Sequence, residues 1–282
     1  QRDGTTEDKL GMNYDWEIAL STGFTGNDSL DVVLNAGKSS LLSELDMTDT
    51  SSIVKLDTIT YTTTLGEKVT AFFGSGDGTA GSSLYNTACV YGAHTDTFSD
   101  CGVSAANVDE GFGTALGASI DFSNGFSAAV AYEGQGMTNN GLLTNQGADA
   151  YGAQLSYIGG AYGVSVSFAN IENHTDAGFH AWNAGATQST ALNAYFAPDL
   201  DSFPSISAGI ESNHNDYVSG TQTDHTSHYF LGLQWDDFGN GTFGGAVGSK
   251  EPYAENNDSE TMYEVFYSYN YADGITLTPL LY

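Results

Sequence analysis

The chain lacks a long hydrophobic run, and it is poor in basic residues. Its 282 residues contain no apolar stretch of about 18 residues, which excludes an ordinary transmembrane helix. Only 6 lysine and arginine residues stand against 35 aspartate and glutamate residues, for a formal net charge of −29. Since nucleic-acid phosphates need a basic surface, this balance excludes nucleic acid as a partner and favours cations.

Cysteine and proline are scarce as well, at 2 and 4 residues against 35 glycines. Cys89 and Cys101 fall in the longest polar connection, residues 75–110. In an oxidising compartment such a pair predicts a loop-closing disulfide. A zinc site is disfavoured because His94 is the one histidine between the two cysteines.

Recognisable metal and catalytic motifs are missing too. Acidic stretches at residues 44–57, 96–110 and 251–260 offer oxygen ligands for a loop-bound Ca²⁺, but they do not have EF-hand spacing. We therefore expect solvated charge there and no cofactor. A barrel enzyme needs a serine and a histidine side by side on the outward face, and the pattern shows no such pair, so no enzymatic activity is expected.

What the chain has in abundance is alternation. Between residues 111 and 122 the even-numbered positions are mostly apolar, as at Leu116, and the odd-numbered ones are small or polar, as at Gly117. Because strand side chains alternate between two faces, we expect even positions to face lipid and odd ones an aqueous interior. Leu116→Arg should then impair folding into lipid and Gly117→Ser should not. Asn124 and Gly125 fit the type I′ turn of a hairpin.

We predict fourteen such strands in one domain, residues 1–282. They lie near residues 14–24, 30–37, 53–65, 68–74, 111–122, 126–133, 149–157, 161–171, 188–197, 204–212, 225–235, 241–249, 260–270 and 274–282. Short turns alternate with polar loops of about a dozen residues or more, which is typical of an outer-membrane barrel. The predicted fold is all-β: a transmembrane, antiparallel, up-and-down β-barrel. Strand direction predicts sixteen strands in the complete barrel, with one missing at each end of this chain.

Aromatic residues form two predicted rows at the two ends of the strands. The row near the short turns contains Phe24, Phe122, Phe126, Tyr157, Tyr162, Phe196, Phe203, Trp235, Phe243, Tyr269 and Tyr271; the opposite row contains Trp16, Tyr132, Tyr151, Phe168, Tyr229 and Tyr263. Because aromatic rings collect at the headgroup level of a bilayer, the two rows predict membrane girdles.

Five segments resemble a known family. Residues 21–28, 69–74, 86–92, 111–114 and 275–280 are similar to the porin domain of cyanobacterial outer-membrane porins of the marine picocyanobacterial type, which are related to the carbohydrate-selective porins. The resemblance covers essentially the whole chain. It implies a homotrimer in the lipid of a Gram-negative, cyanobacterial outer membrane. It also implies an N-terminal region, not present in this chain, that binds the cell wall.

These observations together predict a passive diffusion porin for ions and small hydrophilic solutes. A carbohydrate-selective channel and a structural tether between outer membrane and cell wall are the alternatives. Carbohydrate-selective pores hold sugar hydroxyls with arginines, whereas Arg2 is the single arginine of this chain, which puts sugar selectivity in doubt.

Strand parity also predicts which charges line the pore. The predicted pore-lining residues are Asp15, Glu17, Asp31, Asp121, Glu133, Glu211 and Glu264. By analogy with general porins, residues 75–110 fold inward, and the candidate constriction-loop residues are Asp96, Asp100, Asp109 and Glu110. Lys55 falls outside the interior parity of its strand. Since rings of carboxylates select cations, we expect a cation preference.

Overall fold

The computed structural model contains a single antiparallel sheet. It describes residues 12–38, 43–45, 47–76, 80–103, 105–109, 111–135, 141–144, 147–173, 185–200, 202–217, 225–250 and 261–282. Fifteen strands follow one another in the sheet in the same order as in the chain, except that the last pairs with the thirteenth. The predicted all-β, antiparallel, up-and-down architecture is confirmed.

The strand bounds agree with the alternation pattern. The strands are β1 (Tyr14–Thr22), β2 (Asp28–Lys38), β3 (Lys55–Leu65), β4 (Val69–Gly76), β5 (Gly113–Asp121), β6 (Phe126–Gly134), β7 (Asp149–Ile158), β8 (Tyr162–Asn173), β9 (Gly185–Phe196), β10 (Ser205–Tyr217), β11 (His225–Trp235), β12 (Gly241–Ser249), β13 (Thr261–Ala272), β14 (Ile275–Leu277) and β15 (Leu280–Leu281). Most predicted bounds differ from these by one to three residues.

The last two strands are one predicted strand with an interruption. Leu277 of β14 lies opposite Tyr269, and Leu280 of β15 lies opposite Phe266, so both belong to one register against β13. Pro279 lies between them and has no N–H to donate to the ladder, although its carbonyl still accepts a hydrogen bond from the backbone of Tyr267.

The β5–β6 turn differs from the prediction. Positive φ angles occur at Ser123 and Gly125, not at Asn124, so the turn is wider than type I′. Asp121 Oδ1 accepts a hydrogen bond from the Ser123 backbone, and Asn124 Oδ1 accepts one from the Phe126 backbone. These local side-chain bonds stabilise a three-residue turn, an alternative that the dipeptide alone does not reveal.

The alternation of short and long connections holds with one exception. We expected a short β9–β10 turn and a long β10–β11 loop. The β9–β10 connection, residues 197–204, is instead slightly longer than the β10–β11 connection, residues 218–224. The longest connection, residues 77–112, contains the short helix α1 (Ala80–Leu84) and 3₁₀ turns at Asp96–Cys101 and Ala105–Asn107. None of the described helices is long or apolar enough to cross a bilayer.

One face of the sheet carries an exposed apolar belt. Strand pairing aligns the outward side chains of Ile120, Ala128, Leu155, Val166, Leu192 and Ile210 into a single row across β5 to β10. Leu155 and Ile210 are 57% and 56% exposed. An apolar surface of this extent is unfavourable in water and is suited to lipid.

Aromatic rings lie at both ends of this belt. At the short-turn end, Phe126 contacts Tyr157 with ring centroids 4.9 Å apart, and Trp235 contacts Phe243 at 5.7 Å. At the opposite end Tyr132 lies directly across from Tyr151. These rings of the two predicted rows lie on the outward face of the sheet, whereas Phe24, Phe122 and Phe203 lie in the connections between strands.

Candidate functional site

Residues 80–109, which we call the inner segment, lie across the other face of the sheet, which we call the inner face. Helix α1 packs on β4, β5 and β6; the Ala105–Asn107 turn packs on β7, β8 and β9; and the Asp96–Cys101 turn packs on β10 and β11. The segment thus crosses most of the sheet, and the hydrophobic core lies between it and the inner face.

Residues 86–94 of the inner segment are held to the sheet at every second residue. The backbone N–H groups of Asn86, Ala88, Val90, Gly92 and His94 donate to Gln154, Ser165, Ser207, Gln234 and Glu264 respectively. These acceptors come from β7, β8, β10, β11 and β13. The polar inner side chains therefore define the path of the segment.

Three glutamates fix the inner segment at separate points. Glu133 accepts hydrogen bonds from the backbones of Ala80 and Gly111, at 3.0 Å each, so it joins the two ends of the segment. Glu211 accepts a bond of 2.9 Å from the Ala106 backbone. Their side chains are buried, because the segment lies directly on them.

Glu264 is the third anchor. Its Oε1 accepts the phenolic hydrogen of Tyr91 at 2.8 Å, and its Oε2 accepts the backbone N–H of His94 at 3.1 Å. Burial raises the pKa of the Tyr91 phenol, and the Glu264 carboxylate raises it further, so the phenol remains a donor. Tyr91 also packs edge to face against Phe230 and Phe266.

Glycines make room for the inner segment on the sheet. A Cβ atom added at one of these positions would overlap Leu84 (at Gly117), Val108 (at Gly152), Cys101 (at Gly209), Tyr91 (at Gly232) or Phe98 (at Gly248). Gly117 faces the inner segment, as its predicted interior parity requires. The expected tolerance of Gly117→Ser is wrong, because the inner face is packed there and not open to water.

A disulfide joins Cys89 and Cys101 within the inner segment, with Cα atoms 5.9 Å apart. Gly102 follows in the left-handed conformation at φ 68°. The carbonyl of Asp100 accepts a hydrogen bond from the Asn193 side chain on β9. The crosslinked part of the segment is therefore attached to the wall as well as closed on itself.

The register places all seven predicted pore-lining residues on the inner face. Asp31 lies in a cross-strand row through Thr60, Gly74 and Ala115 to Glu133. The seven differ in their surroundings. Glu133, Glu211 and Glu264 are covered by the inner segment; Asp15, Glu17 and Asp121 are exposed, and Asp31 is half-buried.

Lys55 differs from the prediction. The ladder pairs Val33 with Thr58 and then Leu34 with Leu56, so Asp57 is an extra residue, a β-bulge. The bulge reverses the parity of the strand beyond it and places Lys55 opposite Asn35, which itself lies opposite Glu17. Lys55 is therefore on the inner face, close to the acidic residues of β1.

The candidate constriction residues have mixed outcomes. Asp96, Asp100 and Asp109 are exposed on the inner segment, and Glu110 lies outside the described residues. Within the described part of the chain, no three His, Cys, Asp or Glu side chains are placed to share a metal ion. The acidic stretch 251–260 lies outside that part.

Sequence reasoning missed a contact between three connections. Glu44, between β2 and β3, forms an ion pair with Lys250 at 3.3 Å and accepts a hydrogen bond from Thr97 of the inner segment at 2.8 Å. No periodic signal marks these loop residues, which lie far apart in the chain. The contact links the β2–β3 connection to the inner segment and to the end of β12.

The inner faces of β1, β2 and β3 are more accessible than the covered strands. Every residue of β1 is exposed, and the inward Asp31, Thr60 and Thr62 are only half-buried. We call the inner face of these three strands the open wall.

No family model matches the chain, and no curated protein matches it. Among solved structures, a triple mutant of a Rhodopseudomonas blastica porin is similar over 98% of this chain and 87% of its own, with a TM-score of 0.55 and 14% identity. At this identity the likeness shows the fold alone, which is that of a porin. The finer resemblance to cyanobacterial porins stays a prediction.

Proposed function

We propose that the protein is an outer-membrane diffusion porin that admits ions and small hydrophilic solutes and prefers cations. The observation that carries this proposal is the inner segment, held by side chains of six strands across the polar face of a sheet whose other face is apolar. A sheet with a lipid-facing outside and a polar, partly filled inside is suited to a water-filled pore of restricted width.

Charge supports the preference for cations. Asp15, Glu17 and Asp31 lie on the open wall, and Lys55 is the basic residue beside them. Carboxylates in a narrow passage lower the energy of cations and raise that of anions. The three buried glutamate anchors hold the constriction in place and are not exposed to the passing ion.

The membrane and the assembly belong to the same proposal. The apolar belt and its aromatic girdles support a position in a Gram-negative outer membrane, and the resemblance to cyanobacterial porins implies a homotrimer. Crosslinking of the protein in native membranes, followed by electrophoresis without heating, tests the trimer directly.

The experiment that tests the function is reconstitution in a planar bilayer. We expect discrete conductance steps in KCl and, under a KCl gradient, a zero-current potential of the sign for potassium preference. The potential should shrink at high salt because screening shortens to about 3 Å at 1 M. A potential of the opposite sign would refute the cation preference, and the absence of any conductance steps would refute the pore.

A further inference from the structure

A concavity of about 540 Å³ lies between the inner segment and the short-turn ends of β4 to β7. Leu84 and Asn86 of the inner segment line it, together with hydroxyl residues of the sheet such as Ser119. The charged residues of its lining are Lys68 and Asp121. The volume is many times the roughly 30 Å³ share of a single water molecule, so a solute of several heavy atoms fits.

Strand pairing places the Asp121 side chain on the face that borders this concavity. Asp121 lies opposite Ser127, and Ser127 lies opposite Ser156. The row continues to Ser165, which accepts a backbone N–H of the inner segment. Because the members of a cross-strand row share one face of the sheet, Asp121 is on the inner face as well.

Lys68 lies beside Asp121 across the β4–β5 ladder. Val69 pairs with Ile120, and the Asp121 N–H donates to the Lys68 carbonyl at 2.9 Å, so the ladder continues by one more position. Both residues are exposed. Within the described part of the chain, they form no ion pair with each other. The concavity therefore presents one positive and one negative group, both accessible to a solute.

We propose that this concavity is a binding subsite for small zwitterionic solutes such as free amino acids. The proposal rests on the proposed function, because the solute reaches the subsite through the pore. The carboxylate of an amino acid accepts a hydrogen bond from the Lys68 ammonium, and its own ammonium group donates to the Asp121 carboxylate. An exposed lysine and aspartate gain little from each other, so a ligand that separates them replaces only a weak interaction.

The pair of opposite charges selects for a zwitterion in a way that the rest of the acidic interior does not. The carboxylates of the open wall attract solutes by net charge, and a zwitterion has none. A simple cation pairs with Asp121 but is repelled by Lys68, and a simple anion is repelled by Asp121. A zwitterion is the class of small solute that satisfies both groups at once.

Single-channel recording in KCl with added glycine tests the subsite. We expect the glycine-induced change in current noise to saturate with concentration in the wild-type protein. The half-saturating concentration should rise roughly tenfold in Lys68→Gln and in Asp121→Asn, because each variant loses about one charge-assisted hydrogen bond to the ligand. Both variants should fold normally, since an asparagine at position 121 keeps an acceptor for the Ser123 backbone N–H.

Glu67→Gln is the matched control, because it removes a charge next to Lys68 from a residue that does not line the concavity. Its response to glycine should equal that of the wild type. Glycolamide, an uncharged molecule of similar size, is the control solute and should produce no saturating effect.

KCl conductance separates the two proposals: its absence overturns the pore and the subsite with it. Normal conductance with a glycine effect that does not saturate, or that is equal in all variants, overturns the subsite alone. Glycolamide that saturates with the same dependence on Lys68 overturns the zwitterion class.

Discussion

The Tyr91 hydroxyl donates a hydrogen bond to Glu264, a residue 173 positions further along the chain. The same carboxylate accepts the backbone N–H of His94. A residue that strand parity predicts to be a charge facing the interior is thus a buried support for the inner segment. Position on the inner face and exposure to the permeating ion are separate properties.

Glu264→Ala should loosen the inner segment without breaking the barrel. Two bonds to a charged group are lost, at about 1.5 to 3 kcal/mol each, whereas the strand ladder is untouched. We expect larger open-channel current noise in single-channel records and a melting temperature close to the wild-type value. Glu17→Gln, on the open wall, is the control and should change ion selectivity more than noise. The reverse pattern would show that Glu264 acts as a pore charge.

Gly209→Ala should displace the crosslinked part of the inner segment. A Cβ atom at this position overlaps the Cys101 carbonyl, and such overpacking costs about 1 to 3 kcal/mol. We expect an altered conductance and reduced thermal stability. Gly245→Ala is the matched control, because a Cβ atom there meets its nearest neighbour at an ordinary 3.7 Å. Equal behaviour of the two variants would argue against tight packing beneath the segment.

Reduction of the Cys89–Cys101 disulfide should change the conductance more than the melting of the barrel. The crosslink constrains only the inner segment, whereas the sheet is held by its backbone ladder. The measurement compares single-channel records and melting curves with and without a reducing agent. The double variant Cys89→Ala with Cys101→Ala should behave like the reduced protein and should not respond to the agent.

Leu116→Arg should impair folding into lipid. Leu116 is 40% exposed on the outward face, opposite Tyr132. An arginine on a lipid-facing surface costs about 2 to 4 kcal/mol at the bilayer midplane and less towards the interface. The folded fraction in vesicles, measured by electrophoresis with and without heating, should fall. Thr62→Arg places the same charge on the half-buried inner face of β3 and should fold normally. A similar loss in both variants would contradict the assignment of the faces.

Lys55→Gln should strengthen the cation preference. The bulge at Asp57 places Lys55 on the inner face near Glu17, where its charge opposes that of the carboxylates. The zero-current potential under a KCl gradient should therefore become larger in the variant at low salt. Lys250→Gln is the control, because it removes a basic residue that is paired with Glu44 in a loop contact. It should change the potential less than Lys55→Gln does. An unchanged zero-current potential in Lys55→Gln would show that Lys55 lies on the outer side of the strand.

The strands were predictable because alternation is a local property: the residues of each strand alternate in polarity between its two faces. The errors occurred at irregular positions, a β-bulge and a turn, which the alternation pattern does not describe. Asp57 carries no signal of a bulge, so the side of Lys55 was wrong. The pattern at Asn124 allowed a tight turn, but side-chain bonds from Asp121 favoured a wider one.

The site was harder to predict than the fold for the same reason. Parity placed Glu133 and Glu211 on the inner face, but it contains no information about what lies on top of them. Only the three-dimensional path of the inner segment shows that these carboxylates are covered, and that Gly117 meets Leu84 and not water. Amide and hydroxyl side chains recur at the inner positions of the strands, as at Gln154 and Ser165. They accept backbone N–H groups of the inner segment, so their recurrence is a sequence signal for a segment bound to this face.

The row of backbone bonds along residues 86–94 also orders events during assembly. Its acceptors lie between 68 and 170 residues further along the chain, from Gln154 to Glu264. Such distant partners become available only after β7 to β13 have joined the sheet, because closing long loops precedes the contacts that reward it. We therefore expect the inner segment to settle onto the sheet only after these strands have paired.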